Sequence, residues 1–175
     1  MELNIANISE KKGAHLFFNF SEKLSPLVIG GEEIEFDGPI LVEGTATNVG
    51  KGKILVEGKI NTKIMVNCSR CLKPVCINMD TEFKKEFVKK SVLNEPSYHK
   101  LYEDEEIRTY EGDKLNLLNE VLENVILNIP MKALCSPDCR GICSICGCDL
   151  NVSECHCTSE SIDPRLAELQ KWFKE

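Results

Sequence analysis

Residues 40–58 read Ile40-Leu41-Val42-Glu43-Gly44-Thr45-Ala46-Thr47-Asn48-Val49-Gly50-Lys51-Gly52-Lys53-Ile54-Leu55-Val56-Glu57-Gly58. The pentapeptide Ile-Leu-Val-Glu-Gly stands on both sides of the turn-forming run Asn48-Val49-Gly50-Lys51-Gly52. Two like strands around such a run predict a hairpin, with the loop type left open. The likeness of the copies follows from two strands needing one pattern, and two copies do not make a solenoid. Outward from the hairpin the β pattern covers residues 33–90. Ile34-Glu35-Phe36 alternates ahead of an Asp37-Gly38-Pro39 turn. Lys63 to Asn67 runs as a strand into Cys68, and Cys76 to Met79 resumes it. Thr81 to Val88 puts Phe83 and Phe87 on one face, a spacing that suits a strand or a helix. Residues 1–35 are mixed: Leu16-Phe17-Phe18-Asn19-Phe20 offers one more strand, Ser25-Pro26 a break and Gly30-Gly31 a turn.

After the β region the period changes. Leu118, Val121, Leu122, Val125, Ile126 and Ile129 form one apolar stripe of a helix at about 116–129, which Asp113 or Asn116 can cap and Pro130 ends. The stripe is core packing against the sheet. Asp163-Pro164 opens a short C-terminal helix with Leu166, Leu169 and Phe173 on one side. Residues 91–113, with Glu103-Asp104-Glu105-Glu106, read as an acidic connector or a contact surface for a basic partner. The expected fold is α+β: a β-rich antiparallel sheet or partly closed barrel with one packed helix, a cysteine-rich zinc-stapled segment and a short C-terminal helix. The expected division is a β-rich domain at 1–133 and a cysteine-rich metal-binding segment at 134–175.

Composition narrows the function. The chain has 175 residues, 42% of them hydrophobic and 28% charged, an ordinary globular balance. A net charge of -7 disfavours bulk coating of a phosphate backbone, which needs clustered Lys and Arg. Lys84, Lys85, Lys89 and Lys90 form the one local basic cluster, read as a solvated strand face or an RNA-phosphate contact. The first residues lack a cationic start and an apolar stretch, so no signal peptide is expected, and no apolar run is long enough to span a membrane. Ten cysteines are then expected in a reducing, cytoplasmic compartment, where dense cysteine means metal or redox chemistry more often than disulfides.

The cysteines fall in two places. Cys68-Ser69-Arg70-Cys71 ends a predicted strand. The distal run holds Cys135, Cys139, Cys143, Cys146-Gly147-Cys148, and Cys155-His156-Cys157. Two thiolates three residues apart grip one tetrahedral zinc from a tight turn, and a glycine directly after lets the backbone turn its N–H toward sulfur. Cys143, Cys146, Cys155 and Cys157 are expected at one zinc. Cys68, Cys71, Cys135 and Cys139 would hold a second. Cys76 and Cys148 match no pair, and His156 could replace a cysteine. An iron–sulfur cluster also takes four thiolates. A dithiol redox site needs a C-x-x-C at a helix N-terminus, which the β-like sequence after Cys71 does not supply. All-thiolate ligation usually closes a zinc site, so catalysis is not expected, and G-x-S-x-G, P-loop, H-E-x-x-H and dinucleotide fingerprints are all missing from the sequence.

These residues resemble a known family. Cys68-Ser-Arg-Cys71-Leu72, the helix running into Ile129-Pro130-Met131, Cys139-Arg-Gly-Ile-Cys143-Ser-Ile-Cys146-Gly147, Asp149-Leu150-Asn151, Cys155-His-Cys157 and Asp163-Pro164-Arg165-Leu166 are similar to the YceD family, the large ribosomal RNA subunit accumulation proteins. The resemblance implies a non-enzymatic ribosome-assembly factor needed for normal levels of large-subunit ribosomal RNA. Cys76 and Cys148 depart from the family pattern. On this reading the partner is a large-subunit ribosomal RNA precursor or a basic ribosomal protein, with no membrane and no small-molecule substrate. Arg70, Arg140, Lys84 and Lys85 are the candidate RNA contacts. The alternatives are a chaperone of one basic ribosomal protein without RNA contact, and a thiol-based redox sensor.

Overall fold

Opposed alternating side chains in β5 (Ile40–Gly50) and β6 (Lys53–Asn67) make the centre of the fold. The computed structural model describes residues 1–93 and 108–157. The two strands pair antiparallel with Val42 opposite Ile60, Gly44 opposite Gly58 and Ala46 opposite Val56. The predicted hairpin is therefore present. Its two-residue loop, Lys51-Gly52, has positive φ at both positions (55° and 68°), the requirement of a type I′ turn, whose twist matches that of the strands. Ile40, Val42, Ala46, Ile54, Val56, Ile60 and Ile64 all point inward and are buried.

The repeated pentapeptide has a structural meaning that its sequence did not carry. Both copies end in glycine, and the two glycines face each other across the ladder. A Cβ on Gly44 would lie 2.3 Å from the Glu57 carbonyl oxygen and 2.8 Å from the Phe18 ring. One on Gly58 would lie 2.7 Å from the Phe83 ring. Two aromatic rings thus close over a bare patch of backbone, restoring the packing that glycine costs a strand.

The chain divides into two compact units, Met1–Val66 with Cys76–Met131, and Asn67–Val75 with Lys132–Glu175. The early Cys-x-x-Cys thus groups with the distal cysteines. In the first unit the large sheet runs β2 (His15–Glu22), β5, β6, β4 (Glu32–Phe36), β3 (Leu27–Ile29). β7 (Pro74–Lys89) also pairs with β6, and β8 (Arg108–Tyr110) lies parallel to β7. Among the described residues no pairing joins the ends of this order, so the sheet is open and the expected partial barrel is not seen. Residues 81–88, ambiguous by spacing, are strand, with Phe83 and Phe87 both buried.

A second, two-stranded sheet pairs β1 (Glu2–Asn4) with β9 (Lys114–Asn116), and the first residues enter the core through Leu3, Ile5 and Ile8. The short helices α1 (Ala6–Ser9) and α2 (Lys90–Leu93) flank the strands. The predicted helix is α3 (Leu118–Leu127), and the Asn116 carboxamide accepts the Leu118 N–H at 3.0 Å. Its buried face is rotated from the predicted stripe. Leu117, Val121 and Val125 are fully buried, Leu118 and Leu122 only half so, and Ile126 is exposed. The rotation brings Glu120 inside at 1% exposure, where Arg108 Nε meets its carboxylate at 2.6 Å. Burial raises the Glu120 carboxyl above its usual range against the opposing pull of Arg108. A charged residue on the inner face is invisible to an apolar-stripe reading. Among the described residues no helix is long and apolar enough to cross a membrane. The acidic run 103–106 and the expected C-terminal helix lie outside the described residues.

Gly44→Ala tests the glycine pair. Its Cβ meets backbone that cannot rotate away, so overpacking should lower stability by roughly 2–3 kcal/mol in urea unfolding. A loss within about 0.5 kcal/mol, the range of ordinary surface substitutions, would show that the strands part freely there.

Candidate metal centre

The second unit is built from two similar turns. Cys68 directly follows β6 and Cys71 comes one turn later; Cys143 and Cys146 repeat the turn. In the first turn the Leu72 N–H bonds to the Cys68 carbonyl at 2.9 Å, and the Cys68 N–H to the Lys73 carbonyl at 2.8 Å. In the second the Gly147 N–H bonds to the Cys143 carbonyl at 2.9 Å, and the Cys143 N–H to the Cys148 carbonyl at 2.9 Å. The residue after the second cysteine is left-handed in both, with φ of 59° at Leu72 and 73° at Gly147. Gly147 takes this conformation freely, whereas Leu72 pays for it sterically.

Each turn gathers two more sulfurs. Those of Cys68, Cys71, Cys135 and Cys139 all lie within 4.8 Å of one another. Cys71 and Cys135 are 3.5 Å apart, and Cys68 and Cys139 are 3.9 Å apart. The sulfurs of Cys143, Cys146, Cys148 and Cys155 form a second such group, with Cys155 at 3.4 Å from Cys143 and 3.6 Å from Cys146. All ten cysteines are free thiols. A tetrahedral metal with bonds to sulfur of about 2.3 Å places its sulfurs about 3.8 Å apart, close to the 3.4–3.9 Å of the nearest pairs here. A multi-iron cluster puts irons and sulfides between its thiolates and spreads them farther. No histidine belongs to either group among the described residues.

The groups differ from the spacing-based partition at one position. Spacing joins Cys157 to Cys143, Cys146 and Cys155 and leaves Cys148 out. In the structure Cys148 belongs to the mutually close four, and Cys157 stands beside them with its N–H 3.3 Å from the Cys155 sulfur. The left-handed turn at Gly147 is the cause, because it folds Cys148 back beside Cys143. Gly147 was the available signal. Burial also separates the groups: Cys68, Cys71 and Cys139 are buried, whereas the second group is exposed or half-buried.

Hydrogen bonding prepares some sulfurs as thiolates. The Cys71 N–H, joined by those of Arg70 and Cys135, draws the Cys68 thiol down to about 6. The Cys148 N–H does the same for Cys146, also to about 6. Their neighbours are held protonated instead. Cys135, bonded to the Cys71 thiol, is pushed up to about 12, and Cys148, bonded to Cys146, to about 11. Crowded sulfurs cannot all ionise alone, and a divalent cation would displace the remaining protons.

The segment between Cys148 and Cys155 reaches back to the first group. Asn151 Nδ2 lies 3.5 Å from the Cys139 sulfur, its Oδ1 accepts the Arg140 N–H at 2.7 Å, and Leu150 N–H bonds to the Gly141 carbonyl at 2.9 Å. Asp149 pairs with Lys73 at 2.6 Å, which holds its carboxyl down at about 2. Of the candidate RNA contacts, Arg70 donates to the Cys139 carbonyl at 2.7 Å, and the Arg140 side chain is exposed. Lys84 and Lys85 belong to the first unit, where Lys84 pairs with Glu57 at 2.7 Å and Lys85 is half-buried.

Comparison with known proteins follows the same residues. The family model described as large ribosomal RNA subunit accumulation protein YceD matches residues 56–173. An uncharacterized protein of Mycobacterium tuberculosis is 30% identical over 171 residues, covering 97% of this chain and 79% of that one. The chloroplastic large ribosomal RNA subunit accumulation protein YCED homolog 1 of Zea mays is 23% identical over 160 residues, covering 78% of this chain and 54% of that one. The uncharacterized protein YlbN of Bacillus subtilis is 26% identical, covering 90% and 89%. No solved structure matches.

Leu72→Gly tests the shared turn. The side chain is 62% exposed, so little packing is lost, while the left-handed strain of about 1 kcal/mol is relieved. The metal-loaded protein should unfold at higher denaturant. Destabilisation would mean that Leu72 makes a contact outweighing the strain.

Proposed function

The chain belongs to the YceD family, and from that premise we propose that it is a non-enzymatic ribosome-assembly factor supporting accumulation of large-subunit ribosomal RNA, its second unit stapled by two structural zinc ions. Cys68, Cys71, Cys135 and Cys139 hold one ion, and Cys143, Cys146, Cys148 and Cys155 the other. The observation that carries the staple is the spacing of the two sulfur groups, each compact enough for one tetrahedral ion, and an ion held by four thiolates would keep no open position for catalysis. Soft thiolate donors in knuckle turns select zinc over harder cations. The ribosomal role rests on family membership and on the name carried by the maize relative.

For the partner, charge favours the second of two readings. Beyond the net charge of -7, two of the four cations of the basic cluster are engaged by carboxylates: Lys84 with Glu57, and Lys90 with Glu111, each at 2.7 Å. The adjacent Lys59 pairs with Glu82 at 3.0 Å. A phosphate backbone would have to displace these carboxylates, whereas a basic ribosomal protein would not. A protein contact, with the RNA effect following from it, is therefore the favoured form of the assembly role.

The deciding measurement is capture of the tagged, zinc-loaded protein from native lysate, with and without nuclease. A basic large-subunit protein that stays bound after nuclease supports the protein contact. Loss of all partners after nuclease, together with binding that weakens steeply with salt, would overturn it in favour of direct RNA binding.

A further inference from the structure

The face of the large sheet turned away from the core is laid out in rows. Phe17, Thr45 and Glu57 stand opposite one another on β2, β5 and β6, and Asn19, Glu43 and Lys59 form the next row. Leu41 and Asn61 stand opposite one another in a third. Ion pairs carry the first two rows on to β7, Glu57 with Lys84 at 2.7 Å and Lys59 with Glu82 at 3.0 Å. Two hollows lie along this face, one of about 640 Å³ beside Phe17 and one of about 260 Å³ beside Leu41. Asn19, Glu43 and Lys59 line both, so the two are parts of one groove. Phe17 is 74% exposed and Leu41 45%, so the groove offers apolar contact as well as charge. Its lining carries four carboxylates, on Glu43, Glu57, Asp80 and Glu82, against the two lysines Lys59 and Lys84. Both lysines are already paired, and among the described residues no ion pair engages Glu43 or Asp80.

We propose that this groove docks an extended, arginine-bearing segment of a basic protein, with guanidinium groups against Glu43 and Asp80 and over the Phe17 ring. This rests on the protein-contact reading above and names the surface that makes the contact. Charge complementarity selects the occupant. A phosphate backbone entering the groove meets a surplus of carboxylates, and a second copy of this chain brings the same surplus and a net charge of -7. Arginine fits better than lysine, because its planar guanidinium pairs with a carboxylate through two parallel hydrogen bonds and also stacks on an aromatic face. The dimensions agree. Neighbouring strands are about 4.8 Å apart, so the groove measures about 14 Å from β2 to β7, the reach of roughly four extended residues. Lys59 and Lys84 keep the remaining carboxylates occupied, so the segment is read mainly by Glu43 and Asp80.

The test uses the full chain and a short fluorescent peptide of alternating arginine and alanine, with binding read by anisotropy at low salt. Glu43→Gln combined with Asp80→Asn should weaken binding about tenfold, the scale of two partly exposed ion pairs. Phe17→Ser should weaken it about threefold, the scale of one exposed cation–π contact. Glu32→Gln combined with Glu33→Gln removes the same charge from exposed positions on β4 outside the groove, and should change binding less than about twofold. All these side chains are exposed, and an unchanged urea midpoint confirms that each variant folds. Absence of peptide binding, equal weakening by the two double variants, or equal affinity for a lysine–alanine peptide would each overturn the proposal. So would a single-stranded RNA that competes for the groove, or a dimer in sedimentation that Phe17→Ser dissociates. Capture from nuclease-treated lysate separates this proposal from the reading beneath it. A basic protein retained by wild type and lost by Glu43→Gln with Asp80→Asn supports the groove. Equal retention by both overturns the groove and leaves the protein contact standing, whereas no protein retained by wild type overturns the protein contact itself.

Discussion

Four cysteine sulfurs mutually within 4.8 Å are an electrostatic problem before they are a structure. As thiols they are weak hydrogen-bonding groups and poor packing units, and as thiolates they repel. A dication among them would turn that repulsion into attraction, and on the proposed two-ion reading the second unit depends on this one interaction. Its buried cluster is Cys68, Cys71 and Cys139, with only Val75 and Leu134 packed against them. The first unit rests instead on Ile, Leu, Val and Phe side chains inside an extended sheet. One unit is organised by apolar burial and the other by sulfur. The chain passes between them at Asn67, at Cys76 and at Lys132, and the first pair of cysteines is carried on the segment joining the longest strands, β6 and β7.

What could be read in advance follows that difference. Apolar periodicity exposed the β5–β6 hairpin and the existence of α3, because burial writes itself into the sequence at every second or every third to fourth residue. It missed the rotation of α3, since Glu120 enters the core only through an ion pair with Arg108 from a distant strand. It also missed the reason for two Ile-Leu-Val-Glu-Gly segments, because the need for glycine arises from Phe18 and Phe83 on neighbouring strands. Among the cysteines, pooling by number joined Cys68 and Cys71 to Cys135 and Cys139, and the fold brings these together. Counting could not rank Cys148 against Cys157, which depends on the handedness of one backbone position at Gly147. The left-handed Leu72 was equally hidden, since the local sequence offers no glycine there.

Charge carries the argument on to the partner. Among its described residues the second unit has Arg70, Lys73, Lys132 and Arg140 as cations, and Asp138, Asp149 and Glu154 as anions. Each zinc bound by four thiolates would add a double negative charge, so the loaded unit would be anionic despite its cations. Two of those cations already have partners: Arg70 is bonded to the Cys139 carbonyl, and Lys73 to Asp149. Their positions are those expected of groups that offset a thiolate centre and orient its loops, as the outer partners of metal ligands do. Arg70, chosen from the sequence as a phosphate reader, would have to leave the Cys139 carbonyl to serve as one. On the two-zinc reading the loaded unit would be anionic although its four cations are exposed, and with Arg70 and Lys73 already engaged such a unit would suit a cationic protein surface better than a phosphate backbone.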